Sequence, residues 1–578
     1  MQTKLSKIFT NGSFLKGLMV MILLFLAWEI AVFIPNLMTP SIGLWLQSSL
    51  PVIVFVLLFV VVVSVRSGRL HLFSKPEPIA LKALFLLLLL ALPLGYFTFT
   101  IINVTESFVY TLIELIILLL AITIPFLCAF GNTGIAILIL SFLLPASEFI
   151  RQQFGGIFGI AAGSVLQPLL FFQKDITGLV SEFRILNQLP FEVLLVTCIF
   201  GGWLVSLYYR DGQWPRTPLD WPIIIFLIGC LASIPFSSDV SRSVALFIWG
   251  GLAPFMLYYV IVDCVKTQAQ RRIIFVALFI FAAITDLYNV YRIFQFKNVS
   301  LSNFTEDDRV SVLFWTGSMF VTALWPLMLV LCLSRKERPG VRILAIFAIF
   351  VGGADTLLSF CRSVWLVIIF QLVLLFLFSR RLRYYIVSFV LVSAIGIFIG
   401  LNTWNALSNA LRPQLFSGLE ERNLDILTSG RTLLWHQSWE WIKERPIIGI
   451  GLGTSINLFM QYFHEANAHN EYLQFWLEGG IVPALAVLAI EIVVMIEGVR
   501  SIISTNDMRI RELRFCMLLG CIAWFILSFD GSLWTAYPAL ILQRVIIWGL
   551  VMSWRYEDKN QQSQEKRAET MPLRIRDR

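Results

Sequence analysis

Runs of about 20 apolar residues recur through this 578-residue chain, and each is long enough to cross the ~30 Å hydrocarbon layer of a bilayer as a helix. With 58% of residues hydrophobic and only 14% charged, a water-soluble fold has nowhere to hide the apolar surface. Inside hydrocarbon every backbone polar group must be satisfied within its own segment, which leaves helices as the spanning element for runs of this length. The pattern therefore predicts an all-α, polytopic transmembrane helical bundle. Candidate spans lie at 14–34, 46–65, 79–101, 108–129, 133–149, 191–208, 221–236, 244–263, 273–292, 312–333, 342–358, 361–379, 384–401, 475–498, 513–529 and 538–554, about 16 in all. The first run follows Lys4, Lys7 and Lys16 and has no small-x-small cleavage signal before Pro35. It reads as a retained span, not a signal peptide. The segment 156–171 is apolar but short and glycine-rich; counting it as a span inverts every later loop, so it is expected to be re-entrant or interfacial.

The charges order the spans. With the N-terminus inside, the loops of the inner side carry 29 Lys and Arg and those of the outer side 13. This bias is the one that orients bacterial membrane proteins. It places both termini in the cytoplasm and the long segment 402–474 outside, in a bacterial cytoplasmic (inner) membrane. Because the basic residues alternate with the spans, the net charge of +8 belongs to topology and does not suggest a nucleic-acid partner. The eight cysteines stand singly in apolar segments without a CxxC pair, so neither a disulfide framework nor a metal knuckle is expected.

Three regions follow. Residues 1–190 are almost pure hydrophobe with no chemistry to name. Residues 191–555 alternate apolar spans with polar loops. Residues 556–578 form a basic polar tail of the kind that stays disordered. Most functional side chains fall between Ser429 and Gly480, which holds three of the four histidines (His436, His464, His469), Arg431 at the head of a Trp-rich helix over 432–445, and a Pro/Gly turn. That helix is expected to lie in the membrane interface with Trp435, Trp439 and Ile442 on one face. GIGLG at 449–453 lacks the preceding strand and the following Lys-Ser/Thr helix of a phosphate loop, and reads as a flexible turn. His464 and His469 are five apart, not four, so a helical zinc pair is not expected; the site is read with no metal and no cofactor.

Three stretches carry a resemblance. RTPLDWPIIIFLIGCLASIPFSSDVSRSV (216–244) looks like an opening span preceded by TPLD. DTLLSFCRSVWLVIIF (355–370) is similar to a Ser/Arg-small motif at the outer end of a span. SGRTLLWHQSWEWIKERPIIGIGLGT followed by HNEYLQFWLEGGIVPAL combines Arg, a Trp helix, Pro, a Gly turn and His-Asn in that order. Together they resemble the O-antigen ligase and polymerase superfamily of membrane glycosyltransferases over roughly 191–555. The resemblance implies metal-independent, inverting transfer of a saccharide from an undecaprenyl-diphosphate donor to the hydroxyl of a glycan, lipid-A-core or protein acceptor. A flippase or chain-length regulator is the kind of partner the extra helices of 1–190 could recruit.

Such chemistry requires fixed cations for a diphosphate leaving group, and arginine suits because its planar fork binds phosphate oxygens in pairs and never loses charge. An acceptor hydroxyl requires a base that works near neutral pH, for which histidine is the natural side chain. His469 is accordingly the catalytic candidate, with Arg362 and Arg431 as diphosphate ligands. All three sit at the outer face in the predicted topology. Arg242, His436, His464 and Asn470 form a second tier, and His464 reads as a bystander. The bland alternatives are an Arg362 that snorkels or pairs with Asp355, a surface Arg431, and tryptophans that simply pack. Asp286, Asp355, Glu491 and Arg544 are costly in hydrocarbon unless paired, and mark a polar interior in the C-terminal half. The rival from another class is a transporter of a lipid-linked saccharide or small anion, but no inverted repeat is visible and the long outer loop would lack a purpose.

Overall fold

The computed structural model describes residues 137, 140, 191–209, 214–296, 313–334, 336–358, 361–379, 381–385, 387, 391, 430–465, 467–532, 534 and 540–555. The candidate spans before 130, nearly all of 133–149 and 384–401, the segment 156–171 and the tail 556–578 lie outside the described residues. Two compact units are present: Met1–Leu140 with Phe154–Trp214, and Ser141–Gln153 with Pro215–Arg578. The described part of the first unit is chiefly helix α1 (Phe191–Tyr209), whose Trp203 meets Phe200 and Trp214 at ring-centroid distances of 5.5 and 5.1 Å.

The second unit is helical throughout its described residues, with no strand among them. In order come α2 (Asp220–Ser233), α3 (Val240–Leu246), α4 (Ala253–Cys264), α5 (Gln268–Phe296), α6 (Leu313–Leu333), α7 (Pro339–Leu358) and α8 (Arg362–Phe378). Then come α9 (Arg431–Glu444), α10 (Ser455–Phe463), α11 (Glu471–Gly479), α12 (Ile481–Ile503) and α13 (Met508–Leu527), and a last helix, α14, over 540–555. Among the described residues, three helices are long and apolar enough to cross a membrane: Val240–Cys264, Pro339–Thr356 and Ile481–Ile503. The first of these joins α3 to α4 through a π-helical turn, Phe247–Leu252. Such a turn disturbs the regular carbonyl ladder, and here the Gly250 carbonyl accepts a hydrogen bond from the Trp534 indole.

Helix starts follow local chemistry. Asp239 caps α3 by accepting from the Arg242 N–H at 3.1 Å, and Asp507 caps α13 by accepting from Arg509 N–H at 2.8 Å, each satisfying a donor that the helix leaves without an internal partner. One polar side chain inside the bundle ties three helices together. Gln371 of α8 accepts from the Trp325 indole at 2.6 Å and donates to the Thr322 and Leu519 carbonyls, both at 3.1 Å, which ties α8 to α6 and α13. Phe226, Phe475 and Trp534 form an aromatic core with centroids 5.3 to 5.8 Å apart, in edge-on and tilted arrangements that suit ring quadrupoles.

One sequence expectation requires correction. The continuous span 475–498 is two helices, broken at Gly480. Gly480 has φ +82° and closes against the turn after α9, where a Cβ would run into the Ile447 carbonyl. An apolar window hides such a break, because a hydropathy average does not register the backbone angles that glycine allows. Gly480→Ala is therefore expected to destabilise the protein by about 2–4 kcal/mol, through positive φ and the backbone clash together. Gly353→Ala, where an added Cβ meets nothing within 4 Å, is expected to leave the melting temperature level or slightly raised. Thermal unfolding of both variants in detergent checks the contrast.

Candidate functional site

The stretch 430–480 folds on itself into a small helical platform. α9 and α11 face each other, with α10 beside them, around Leu434, Ile442, Phe459, Ala468 and Leu477. Trp441 of α9 stacks edge-on to Phe459 of α10 at 5.2 Å, and Trp439 to Trp476 of α11 at 5.3 Å. The buried stripe of α9 is Leu434, Ser438 and Ile442. Of the face expected to hold Trp435, Trp439 and Ile442, Ile442 is buried and Trp439 is 42% exposed. The helix runs from Arg431 to Glu444, one residue earlier than expected.

The glycine run is tied, not loose. Ile450 and Gly451 donate their N–H groups to the Leu477 and Glu478 carbonyls, both at 2.9 Å, and Ile481 donates to the Pro446 carbonyl at 3.1 Å. The last carbonyls of α11, which have no partner inside their own helix, are thus capped by the turn. Gly449, at φ +75°, lies so close to the Glu478 carbonyl that a side chain would collide with it. The turn also brings Leu452 onto α3, where the Ser243 hydroxyl donates to the Leu452 carbonyl at 2.6 Å.

His469 stands on the short connection between α10 and α11. No helix carries His464 and His469 together. His464 is the left-handed C-cap of α10 at φ +58°, and His469 is itself left-handed at φ +49°. Only a few per cent of residues other than glycine adopt that region, and they concentrate where the surroundings hold them. Here the holding groups are explicit. Asn467 Oδ1 accepts the His469 N–H at 2.9 Å, Gln474 Oε1 accepts the Ala468 N–H at 2.9 Å, and Asn470 caps α11 by accepting from Leu473 N–H at 3.1 Å. The His469 ring reaches the Glu465 carboxylate, Nε2 to Oε2 at 3.3 Å.

The structure brings Arg431 to the same place. It is the first residue of α9 and pairs with Asp530 in the segment after α13; both side chains are 19% exposed. A cation in the first turn opposes the positive end of its own helix, so Arg431 does not stabilise α9 and its pairing with Asp530 offsets that repulsion. The Glu465 carboxyl lies below the usual carboxylate range, first because His469 bonds to it and also because His469 and Arg431 attract its negative charge. Arg431 thus lies near the Glu465–His469 contact and, with it, makes up the His469 group.

Two buried polar networks lie around this group. In one, the Gln474 amide donates to Ser455 Oγ and Glu478 Oε1, both at 2.6 Å, and Ser455 Oγ donates to the same carboxylate at 2.6 Å. Arg242 joins this side: a Cβ on Gly453 would come 3.3 Å from its Nε. In the other, Arg544 pairs with Glu471 at 2.7 Å and with Glu491, and Tyr472 donates its hydroxyl to Glu491. Arg362 stands half-buried at the first position of α8. His436 is exposed on α9, where it lies near Glu440 and not in the His469 group. Asp355 is buried beside Asp286 of α5. Asp530, Gln474 and Glu478 were not named from the sequence, and Glu465 was weighed there only as a metal ligand. For Asp530 a signal existed: a single acid in the turn after an apolar span, on the side that carries Arg431.

The linkage of Glu465 has a definite sign. Its folded pKa is depressed, so its contact with His469 is fully present above the ordinary carboxylate value of about 4.3 and is lost as the pH falls through the depressed one. Carboxyl carbon NMR of labelled protein is expected to show Glu465 titrating below that value, and returning toward it in His469→Ala. Equal titration in both proteins would refute the contact. Asp530→Asn is expected to weaken the hold on Arg431 and to lower thermal stability by about 1–3 kcal/mol, as for a charged hydrogen bond removed from a largely buried site.

The search of curated proteins finds no match to this chain. A family model does match. Residues 345–488, from within α7 through α8 and the α9–α11 platform into the first turns of α12, match the model described as O-antigen ligase.

Proposed function

We propose that the protein is a membrane glycosyltransferase of cell-surface polysaccharide assembly. It would move a saccharide from an undecaprenyl-diphosphate donor to a hydroxyl of a glycan, lipid-A-core or protein acceptor, without a metal and with inversion. The observation that carries this reading is the contact of His469 with Glu465, with Arg431 near enough to attract the same carboxylate, inside the segment that matches the O-antigen ligase model.

The acceptor hydroxyl attacks the anomeric carbon, and its proton passes to the His469 ring. The bond between that carbon and the diphosphate oxygen breaks, and the diphosphate leaves with the electron pair. Glu465 stabilises the imidazolium as it forms. Arg431 and Arg362 each stand at a helix N-terminus, where unbonded N–H groups and the helix dipole favour anions. Two cations at two such ends suit a leaving group that gains charge in the transition state. The left-handed backbone at His469 holds the ring in place before substrate arrives.

The bilayer arrangement of about 16 spans, both termini cytoplasmic and the platform outside, also belongs to this proposal. Ion pairs between segments support it, since they join segments assigned to one side. Arg272 pairs with Glu337, Arg381 with Glu512 at 3.2 Å, and Arg555 with Glu497 at 3.0 Å at the inner side, and Arg431 with Asp530 at the outer.

The test is transfer by purified protein in lipid, given an undecaprenyl-diphosphate saccharide with EDTA throughout and the products sized on a gel. His469→Ala is expected to slow transfer by about 10²-fold or more, the usual contribution of a general base. A ladder of products identifies a polymerase, and a single step onto added acceptor a ligase. Donor bound or moved across the bilayer without transfer would replace the enzyme reading with a transporter.

A further inference from the structure

The proposed chemistry leaves the most deeply buried cation of the outer half without a task. Arg544 is 1% exposed. It lies in the last helix between two tryptophans, 5.2 Å from the Trp534 ring and 5.1 Å from the Trp548 ring. Its Nη1 donates to Glu471 at 2.7 Å, and its Nη2 donates to Ser528 Oγ at 3.0 Å and pairs with Glu491. Besides Glu491 in α12, one guanidinium thus holds two further stretches of chain, the start of α11 and the end of α13.

Each stretch carries, two residues away, either a member of the His469 group or the partner of one. On one side, Glu471 follows His469 and Asn470. On the other, Ser528 is followed by Phe529 and Asp530, and Asp530 orients Arg431. The stretches are also laced directly. The Glu471 N–H donates to the Ser528 carbonyl at 2.8 Å, and the Asn470 amide donates to the Phe529 carbonyl at 3.4 Å.

We infer that Arg544 is a positioning residue. Its fork fixes the distance between the His469 base and the Arg431–Asp530 pair, and so the reach from acceptor hydroxyl to leaving diphosphate. A purely stabilising role would not need this arrangement, since a buried ion pair contributes little that packed apolar side chains could not supply. A fork that grips two segments does need arginine, because lysine presents a single point charge on a thinner stem. The inference rests on the proposed glycosyl transfer for its consequence, but its geometric content can be read without activity.

The experiment uses the full protein in lipid nanodiscs with Arg544→Lys and Glu471→Gln. Three quantities are read: the transfer rate per folded molecule, the affinity for undecaprenyl diphosphate, and the rate at which diethyl pyrocarbonate modifies His469, with exposed His436 as internal reference. Each variant is expected to lose roughly tenfold to a hundredfold in transfer rate, as small misplacements of reacting groups do. Affinity is expected to stay within about twofold, and the His469 to His436 reactivity ratio to change several-fold. The double variant is expected to lose no more than the worse single one, because both changes break the same bond. Unchanged transfer per folded molecule, or slowed transfer with an unchanged His469 ratio, overturns the inference. If the wild type makes no product, glycosyl transfer fails as a function and the His469 ratio alone decides the positioning role. If Arg544→Lys does not fold, Glu471→Gln, which keeps the shape of the side chain, decides in its place.

Discussion

A single buried arginine, Arg544, meets Glu471, Glu491 and Ser528 in the second unit. The charge count makes this contact strict. One cation faces two carboxylates in surroundings that exclude water, so each group relies on the others to offset the loss of hydration. Trp534 and Trp548 flank the guanidinium, and Trp534 in turn reaches the π-turn between α3 and α4. Three parts of the chain that are remote in sequence converge on one charge.

The platform above depends on a second constraint, the need to satisfy backbone groups where a helix stops inside a packed structure. α11 ends at Gly479, and its last carbonyls receive N–H groups from the 450–451 turn. That exchange needs backbones so close that Gly449 and Gly480 exclude a side chain. The glycines therefore serve contact between chain segments. Through Leu452 and Ser243 they also carry Arg242 toward Gly453 and the buried Glu478 network. The backbone at His469 is held in addition by the hydrogen bonds of its own connection, where Ala468 is buried in the platform core.

What the sequence made legible was whatever is written in local pattern. Apolar runs announced a helical membrane protein, and the order of Arg, Trp helix, Pro, Gly turn and His-Asn marked a segment that lies within the family match. Arg431 and His469 could be named because each belongs to that order. The partners could not. Asp530 lies 99 positions from Arg431, and Arg544 lies 73 from Glu471, and pairing over such distances is a property of the fold. The buried stripe of α9, Leu434, Ser438 and Ile442, was not legible for a related reason: tryptophans dominate the apolar count of this helix, yet its burial is set by the helices packed on it. Gly480 was passed over because hydropathy averages do not register positive φ. Arg544 and Glu491 were visible as charges within apolar spans, which indicated a polar interior without saying what it held.

The most direct measurement is a cryo-EM structure of the full chain in a nanodisc with an undecaprenyl-diphosphate saccharide bound. The expected result is a diphosphate within hydrogen-bond reach of Arg431 and Arg362, with the anomeric carbon facing the His469 ring. A lipid diphosphate seated instead among residues 1–190, or at the bilayer midplane away from His469, would contradict the site.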